Sequence, residues 1–560
     1  MPAILLVIVG LLVFYLGWRF YSRFIADKIY RLAPGFKTPA HELEDGVDYV
    51  PTNRYVLWGH HFTSVAGAAP VVGPAIAVIW GWVPAFLWVI LGTVFFAGVH
   101  DFGALWASVR HKGRSVGIFT EEIIGRRAKN VFTIVIFLTL LMVNAVFAVV
   151  IAKLMITVTS AVAPTWIVVG VAPIIGWLIY KKNAGLFWPT FAGIIILYVF
   201  IALGPDIPIH LPASVLGLAP GSQWIILLFI YCAVASLLPV WLLLQPRDYI
   251  NGIQLVIALG IFYAAVFIYH PKVVAPAFNA HVPAGTPPLI PLLFVTIACG
   301  AISGFHGLVA SGTSSKQLDK ETDARFVGYL GAVGEGGLAL VAILATTAGF
   351  ATLHDWKAAY TTFAGGAIHS YVEGGARIID GGLGLPHSIG ANLLTVMLAL
   401  FAATTMDTSV RLQRYIIQEW GQTYRIRPLT HPVTATLLAV GACMLLAFGA
   451  GGAAGTGGMI IWPLFGTTNQ LLAALTLVVI SILLLKYGRP VWYTILPMLF
   501  LLGMTVSALL YQLWGFYKKG NSFLVVMDLL ILIASIWVVL EAGSAFWKAR
   551  AETRAGAPAP

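Results

Sequence analysis

The chain has 560 residues, of which 59% are hydrophobic and only 10% charged, with a formal net charge of +11. Soluble domains carry about 25% charged residues, so this composition excludes disorder, a secreted disulfide scaffold and most cytosolic enzymes. The three cysteines, Cys232, Cys299 and Cys443, stand in separate apolar runs, which form neither a disulfide framework nor a zinc ribbon.

Crossing about 30 Å of hydrocarbon takes roughly 20 mostly apolar residues. Fifteen stretches meet this in chain order: 2–18, 58–82, 84–109, 131–161, 164–180, 186–203, 223–244, 249–270, 289–313, 326–352, 387–409, 431–450, 457–485, 490–514 and 523–544. The first reads as a retained span, because Arg19 and Arg23 follow it at once and no small-residue cleavage site precedes them. Cytoplasmic loops retain positive charge. With the N-terminus outside and the C-terminus inside, twenty-seven of the 33 Lys and Arg residues fall on the inner side and five outside, with Lys153 alone in a span. The basic balance is thereby explained without a nucleic-acid partner. The expected fold is an all-α polytopic membrane protein, one transmembrane domain from end to end. Loop 353–386 is expected to be a short external or re-entrant excursion broken by Gly365-Gly366, Gly374-Gly375 and Gly381-Gly382.

Two spans are interrupted. The second runs from Gly59-His60-His61 through Ser64, Gly67 and Pro70 to Gly73-Pro74, and the ninth from Cys299-Gly300 through Ser303-Gly304-Phe305-His306 to Ser311-Gly312-Thr313. Broken backbone at membrane depth is tolerated only where it faces protein or a cavity. A pair of such helices in two inverted halves points to a transporter site, whose half-helix N-termini suit an anionic group. The other reading is tight packing by small residues. The halves are placed at 58–244 and 289–485, followed by C-terminal helices at 490–544; five-plus-five and seven-plus-seven inverted repeats both fit. His60, His61, Ser64, Gly67, Ser303, Gly304, His306 and Asn469 are the candidate substrate-binding residues. Asn469, with Gln470, either binds substrate or joins helices.

Ionisable groups at membrane depth are costly and invite a functional reading. Asp101 and Glu335 are expected roughly 13–15 Å from the inner end of their spans, and either can carry a proton. Lys153 in the fourth span and Asp407 at the end of the eleventh, near Arg411 and Arg414, complete the proposed coupling set. The competing reading for each carboxylate is a satisfied interhelical ion pair. Arg247 and Asp248, after Pro246, form a candidate gate pair or a membrane-edge anchor. His60, His61, His306 and Asp101, or His100, would have to converge for zinc, as in a metal-dependent intramembrane enzyme. No G-x-x-x-x-G-K-[ST] loop is present, and neither a metal nor a cofactor is expected.

Several blocks together resemble the carbon-starvation (CstA) family of bacterial inner-membrane transporters. They are Asp45-Gly46-Val47-Asp48-Tyr49-Val50-Pro51-Thr52, the 59–74 helix, Pro239-Val240-Trp241 with Pro246-Arg247-Asp248-Tyr249, the 297–313 helix, and Trp462-Pro463-Leu464-Phe465-Gly466 with Asn469-Gln470. His60, His61, Gly67, Pro70, Gly73, Pro74, Asp101, Lys153, Ser303, His306 and Glu335 match family patterns. The resemblance implies membership of the amino acid–polyamine–organocation superfamily and a LeuT-type inverted-repeat core. It also implies uptake of peptides or of pyruvate with protons under carbon starvation. The chain departs from longer members in its length and its compact 353–386 segment. The expected function is import of a pyruvate-like carboxylate coupled to a proton or another cation, with short peptides as the alternative. The expected partners are that small molecule, the coupling cation and membrane lipid.

Overall fold

The computed structural model describes residues 1–46, 48–239, 241–449 and 457–554. Val47 and Val240 of the family blocks, the last residue of the twelfth stretch and the end of the tail lie outside the described residues. Among the described residues every regular element is helical.

Thirteen helices are long and apolar enough to cross a membrane. They begin with α1 (Ala3–Tyr30). A pair bent by 51° follows, α2 (Arg54–Val65) and α3 (Ala69–Trp80), counting as a fourteenth span. Next come α4 (Trp82–Arg110), the short α5 (Val116–Ile123), α6 (Arg126–Thr157), α7 (Thr159–Lys182), α8 (Phe187–Asp206), α9 (Pro220–Leu237) and α10 (Leu244–Tyr269). The ninth predicted stretch is in three pieces, α11 (Leu289–Thr296), α12 (Ala298–Ala301) and α13 (Gly304–Gly312). It is too fragmented to count as one span, so the fifteen predicted stretches become thirteen continuous helices and two broken ones. The chain continues through α14 (Arg325–Ala348), α15 (Leu353–Ala359), α16 (Ala367–Leu383), α17 (His387–Thr423), α18 (Pro432–Gly449), α19 (Trp462–Lys486), α20 (Trp492–Lys518) and α21 (Ser522–Arg554).

Burial separates inner from outer helices. The most apolar windows of α17 and α19 are 94% buried, against 33% for α1 and α20. A helix apolar all round but exposed on one side has lipid as its remaining neighbour. The two broken helices lie at the centre and touch: a Cβ on Gly73 of α3 would stand 2.5 Å from the Thr296 carbonyl oxygen at the end of α11. Only glycine permits that backbone approach.

The 353–386 segment differs from expectation. Gly374-Gly375 and Gly381-Gly382 do not break it but lie inside α16, a helix with one strongly buried face. A Cβ on Gly374 would come within 2.1 Å of the Ala345 carbonyl oxygen, and one on Gly382 within 2.4 Å of the Ala265 carbonyl oxygen. These glycines bring helices together, a use that the breaker reading of paired glycines does not separate from a turn. At the opposite end of the bundle, the segment between α1 and α2 runs beneath the loop after α13. Thr52 N–H donates to the Gln317 carbonyl (3.0 Å) and Thr38 Oγ1 to that of Asp319 (3.2 Å).

Candidate functional site

The second break is one extended step, Ile302 and Ser303, between α12 and α13. Its polar groups are met from α19, where Asn469 Oδ1 accepts the Phe305 N–H at 3.0 Å. Asn469 Nδ2 reaches Ser303 Oγ at 3.1 Å and Cys299 Sγ at 2.9 Å. Ser303, Gly304 and Asn469 thus share one locus, where the amide side chain substitutes for the missing helical partner. The first break leaves Ala66, Gly67 and Ala68 outside regular helix, with Ser64 buried just before it.

One turn into α13, His306 meets the two predicted carboxylates. Its Nδ1 is 2.7 Å from Asp101 Oδ2 on α4, and its Nε2 is 3.0 Å from Glu335 Oε2 on α14. The other Asp101 oxygen lies 2.7 Å from His100 Nδ1. All four side chains have essentially no exposure. Thus α4, α13 and α14 place an acid–histidine–acid line beside the break. His61 of α2 is close by: it pairs through Nδ1 with Ser314 Oγ at 2.8 Å, and its ring packs where Gly331 of α14 has no side chain. His60, about 100° round the helix, is less enclosed.

Hydrogen-bond chemistry limits the protonation states. An ionised carboxylate only accepts, so the Nδ1 of both His100 and His306 donates to Asp101. The contact between His306 Nε2 and Glu335 then exists in one of two forms: imidazolium beside carboxylate, or neutral imidazole beside carboxylic acid. Uptake of one proton takes the line from a net charge of −1 to neutrality. In a dry interior, where an uncompensated charge is expensive, that step is coupled strongly to whatever charge arrives next.

A second ionic centre joins α9, α10 and α17. Arg247 Nη1 donates to Asp407 Oδ2 and to Tyr231 OH, and Nη2 lies 3.0 Å from Asp248 Oδ1 and 3.3 Å from Asp407 Oδ1. Tyr231 OH donates to Asp407 Oδ2 at 2.9 Å. The predicted Arg247–Asp248 pair is therefore present but shared with Asp407. Arg411 and Arg414, the expected neighbours of Asp407, instead donate to carbonyls of Ala235, Leu238 and Ser236 at the end of α9. Lys153 stands apart on α6, at intermediate exposure and with no ion pair among the described residues.

The proposed zinc set does not assemble: among the described residues no three His, Cys, Asp or Glu side chains are arranged to hold a metal ion. Two members of the ionic centres were not singled out for these roles from sequence. His100 enters the sequence reading only as an alternative member of the zinc set, not as a partner of Asp101. Tyr231 is an isolated hydroxyl in an apolar run with no spacing that ties it to Arg247.

Fold and centre together define a multi-pass helical membrane protein with buried acid–base groups beside a broken helix. The family described as Carbon starvation protein CstA matches residues 2–359 and 350–508, and the chain belongs to that family. Similar proteins include the peptide transporter CstA of Campylobacter jejuni, 31% identical over 93% of this chain and 81% of that one. The pyruvate/proton symporter BtsT of Escherichia coli is 32% identical over 93% of this chain and 83% of its own. Among solved structures, MhsT in complex with L-phenylalanine aligns with a TM-score of 0.45 and 13% identity, over 88% of this chain and 99% of that one.

Proposed function

We propose that the chain is a secondary active transporter of the bacterial plasma membrane, importing a small pyruvate-like carboxylate together with a proton. The observation that carries this reading is His306 held between Asp101 and Glu335 at the broken helix. The line exchanges one proton for one unit of buried charge, and the break beside it is where an anion is neutralised most readily. Access alternates around this midplane locus, with the N-terminus outside and the C-terminus inside. Segments 58–244 and 289–485, each containing a broken helix, act as inverted halves of LeuT type, as in the amino acid–polyamine–organocation superfamily, with 490–544 peripheral. His60, His61, Ser64 and Gly67 line the substrate path from the first half, and Ser303, Gly304 and Asn469 from the second. The reading is of a carrier and not an intramembrane enzyme, in keeping with the names of the relatives.

Short peptides are the second reading. It is favoured by Glu335 Oε1, which is buried with no hydrogen-bond partner among the described residues and is placed to receive an ammonium group. Uptake of labelled pyruvate into proteoliposomes, with and without an inward proton gradient and with a dipeptide as competitor, tests both. Gradient-stimulated uptake insensitive to the dipeptide supports the carboxylate reading. Uptake of labelled dipeptide alone replaces it with the second.

A further inference from the structure

The last helix carries a carboxyl group that neither ionic centre uses. Asp528 stands six residues, about 9 Å, into α21. It has no exposure, and both of its oxygens are without a hydrogen-bond partner among the described residues. It does not face lipid: Leu524, Ile531, Ser535 and Val538, at steps of three and four along the same helix, are buried with it.

That stripe packs on α6, α19 and α20. The hairpin of α20 and α21 turns at Gly520, whose φ is 65°. Gln512 and Asp528 lie eight residues either side of this turn, and Thr505 and Ser535 lie fifteen, so each pair stands at one level of the hairpin. All four are buried. Gln512 Nε2 is already spent on α19, donating to Thr467 Oγ1 at 2.7 Å and to the Pro463 carbonyl at 3.3 Å, which leaves Oε1 enclosed without a donor. At one level, then, an amide oxygen and a carboxyl group are both shut away from water with no donor brought to either. The charged or titratable side chains at this end of the packed helices are Lys153 on α6 and the exposed Tyr511, Tyr517 and Lys518 on α20. On α19 there is only Lys486, in its last turn. None of them bonds Asp528.

An ionised carboxylate only accepts hydrogen bonds, and enclosing one without a donor or a cation is expensive. The un-ionised acid avoids that cost and brings the O–H donor that its surroundings lack. We infer that Asp528 is a further proton-binding site of this chain, occupied as the carboxylic acid while α21 is seated on α19 and α20. The proton leaves only when that seat opens to water: the O–H bond breaks, its electron pair stays on the carboxylate, and water takes the proton. The site lies outside the Asp101–His306–Glu335 line and does not depend on what the chain carries.

Infrared spectra of purified full-length protein as wild type, Asp528→Asn and Asp528→Leu test this at about pH 7, where accessible carboxyls are ionised. Wild type minus either variant should contain the carbonyl stretch of one un-ionised carboxylic acid and no matching carboxylate band. The same difference taken in a Glu335→Gln background should be unchanged, which separates the group from the line. Both replacements are neutral and should fold, as size exclusion shows. Folding takes up a proton at Asp528 wherever the unfolded carboxyl is ionised, so wild-type melting temperature should fall as pH rises from about 5 to about 8. The folding equilibrium changes by up to about tenfold per unit, and Asp528→Asn should flatten that slope. A carboxylate band in place of the acid band, an unchanged slope, or failure of both neutral variants to fold overturns the inference and leaves the carrier reading standing.

Discussion

The backbone N–H of Phe305, in the first turn of α13, donates to Asn469 Oδ1 of α19 at 3.0 Å. A half-helix start inside a membrane is thereby capped by a side chain from another helix, with Nδ2 of the same amide bonding Ser303 and Cys299. Both ends of the amide are used, and Asn469 has no exposure. Replacement by alanine strands the buried Phe305 N–H and removes the donor to Ser303 Oγ and Cys299 Sγ, at about 1–3 kcal/mol for each group left unsatisfied. Asn469→Ala should therefore lower the melting temperature in detergent clearly below that of wild type. Asn469→Asp, which keeps the acceptor for Phe305, should fall between them. A melting curve of Asn469→Ala superimposable on wild type would show that the cap is dispensable.

In the line Asp101–His306–Glu335, the carboxylate oxygen without a hydrogen-bond partner among the described residues is Glu335 Oε1. Asp101 is held from both sides by His100 and His306. On the proposed carrier reading, Glu335 is the group through which the proton enters and leaves the line. Glu335→Gln keeps the shape and removes the titration. Uptake driven by an inward proton gradient should drop to the ungraded rate, about tenfold or more, while exchange of labelled for unlabelled substrate at equal pH persists. Loss of both activities in a folded variant would make Glu335 a substrate contact and not a proton carrier.

Gly374 lies in α16 against the Ala345 carbonyl of α14, with no room for a side chain. Because the obstruction is backbone, a larger residue must push two helices apart. Overpacking of this kind costs about 1–3 kcal/mol or more. Gly374→Val should reduce folded yield and melting temperature, whereas Gly384→Ala has open space around it and a positive φ of 65° alone to contend with. The two measured side by side separate contact from backbone strain: a milder loss for Gly374→Val would contradict the packing account.

Much of this organisation is legible in the chain itself. Membrane spans announce themselves by composition, because nothing but a long apolar run survives in lipid, and the two breaks announce themselves by clustered Gly, Pro, Ser and His at membrane depth. Asp101 and Glu335 stand out for the same reason: a charge in an apolar run has no neighbourhood to hide in. What sequence does not carry is partner choice across helices. Arg247 pairs with Asp407, 160 residues away, and not with Asp248 alone, because helix packing and not spacing brings α17 to α10. The glycine pairs of 353–386 mislead for a related reason: a glycine in a turn and a glycine in a tight helix contact have the same letter and the same small volume.

One carboxylate gathers several of the ties between the rest of the bundle and the segment that joins α1 to α2. Glu321 has no exposure and accepts three hydrogen bonds: Arg110 Nε at 2.5 Å, Arg110 Nη2 at 2.8 Å, and the Ala33 N–H at 2.6 Å. Arg110 is stacked at the same time over Phe36, 4.2 Å from its ring centroid, so both partners contact the 31–53 segment. Arg110 ends α4, the helix that bears Asp101, and Glu321 follows α13, the helix that bears His306. The fastening therefore joins the end of α4 to the connection between α13 and α14, next to the elements that make the acid–histidine contact. Glu321→Gln keeps the size but surrenders the bidentate charge pairing, a loss of about 2 kcal/mol for hydrogen bonds to a charged group. Amide exchange at Ala33 and along 31–53 should accelerate by up to about 30-fold as a result. Arg114–Glu122 is the comparison, an ion pair in which both side chains are 47% exposed. Exposed pairs contribute little, so Glu122→Gln should leave the same amides unchanged. Equal protection of Ala33 in Glu321→Gln and wild type would mean that the segment is held by its backbone contacts to Gln317 and Asp319 instead.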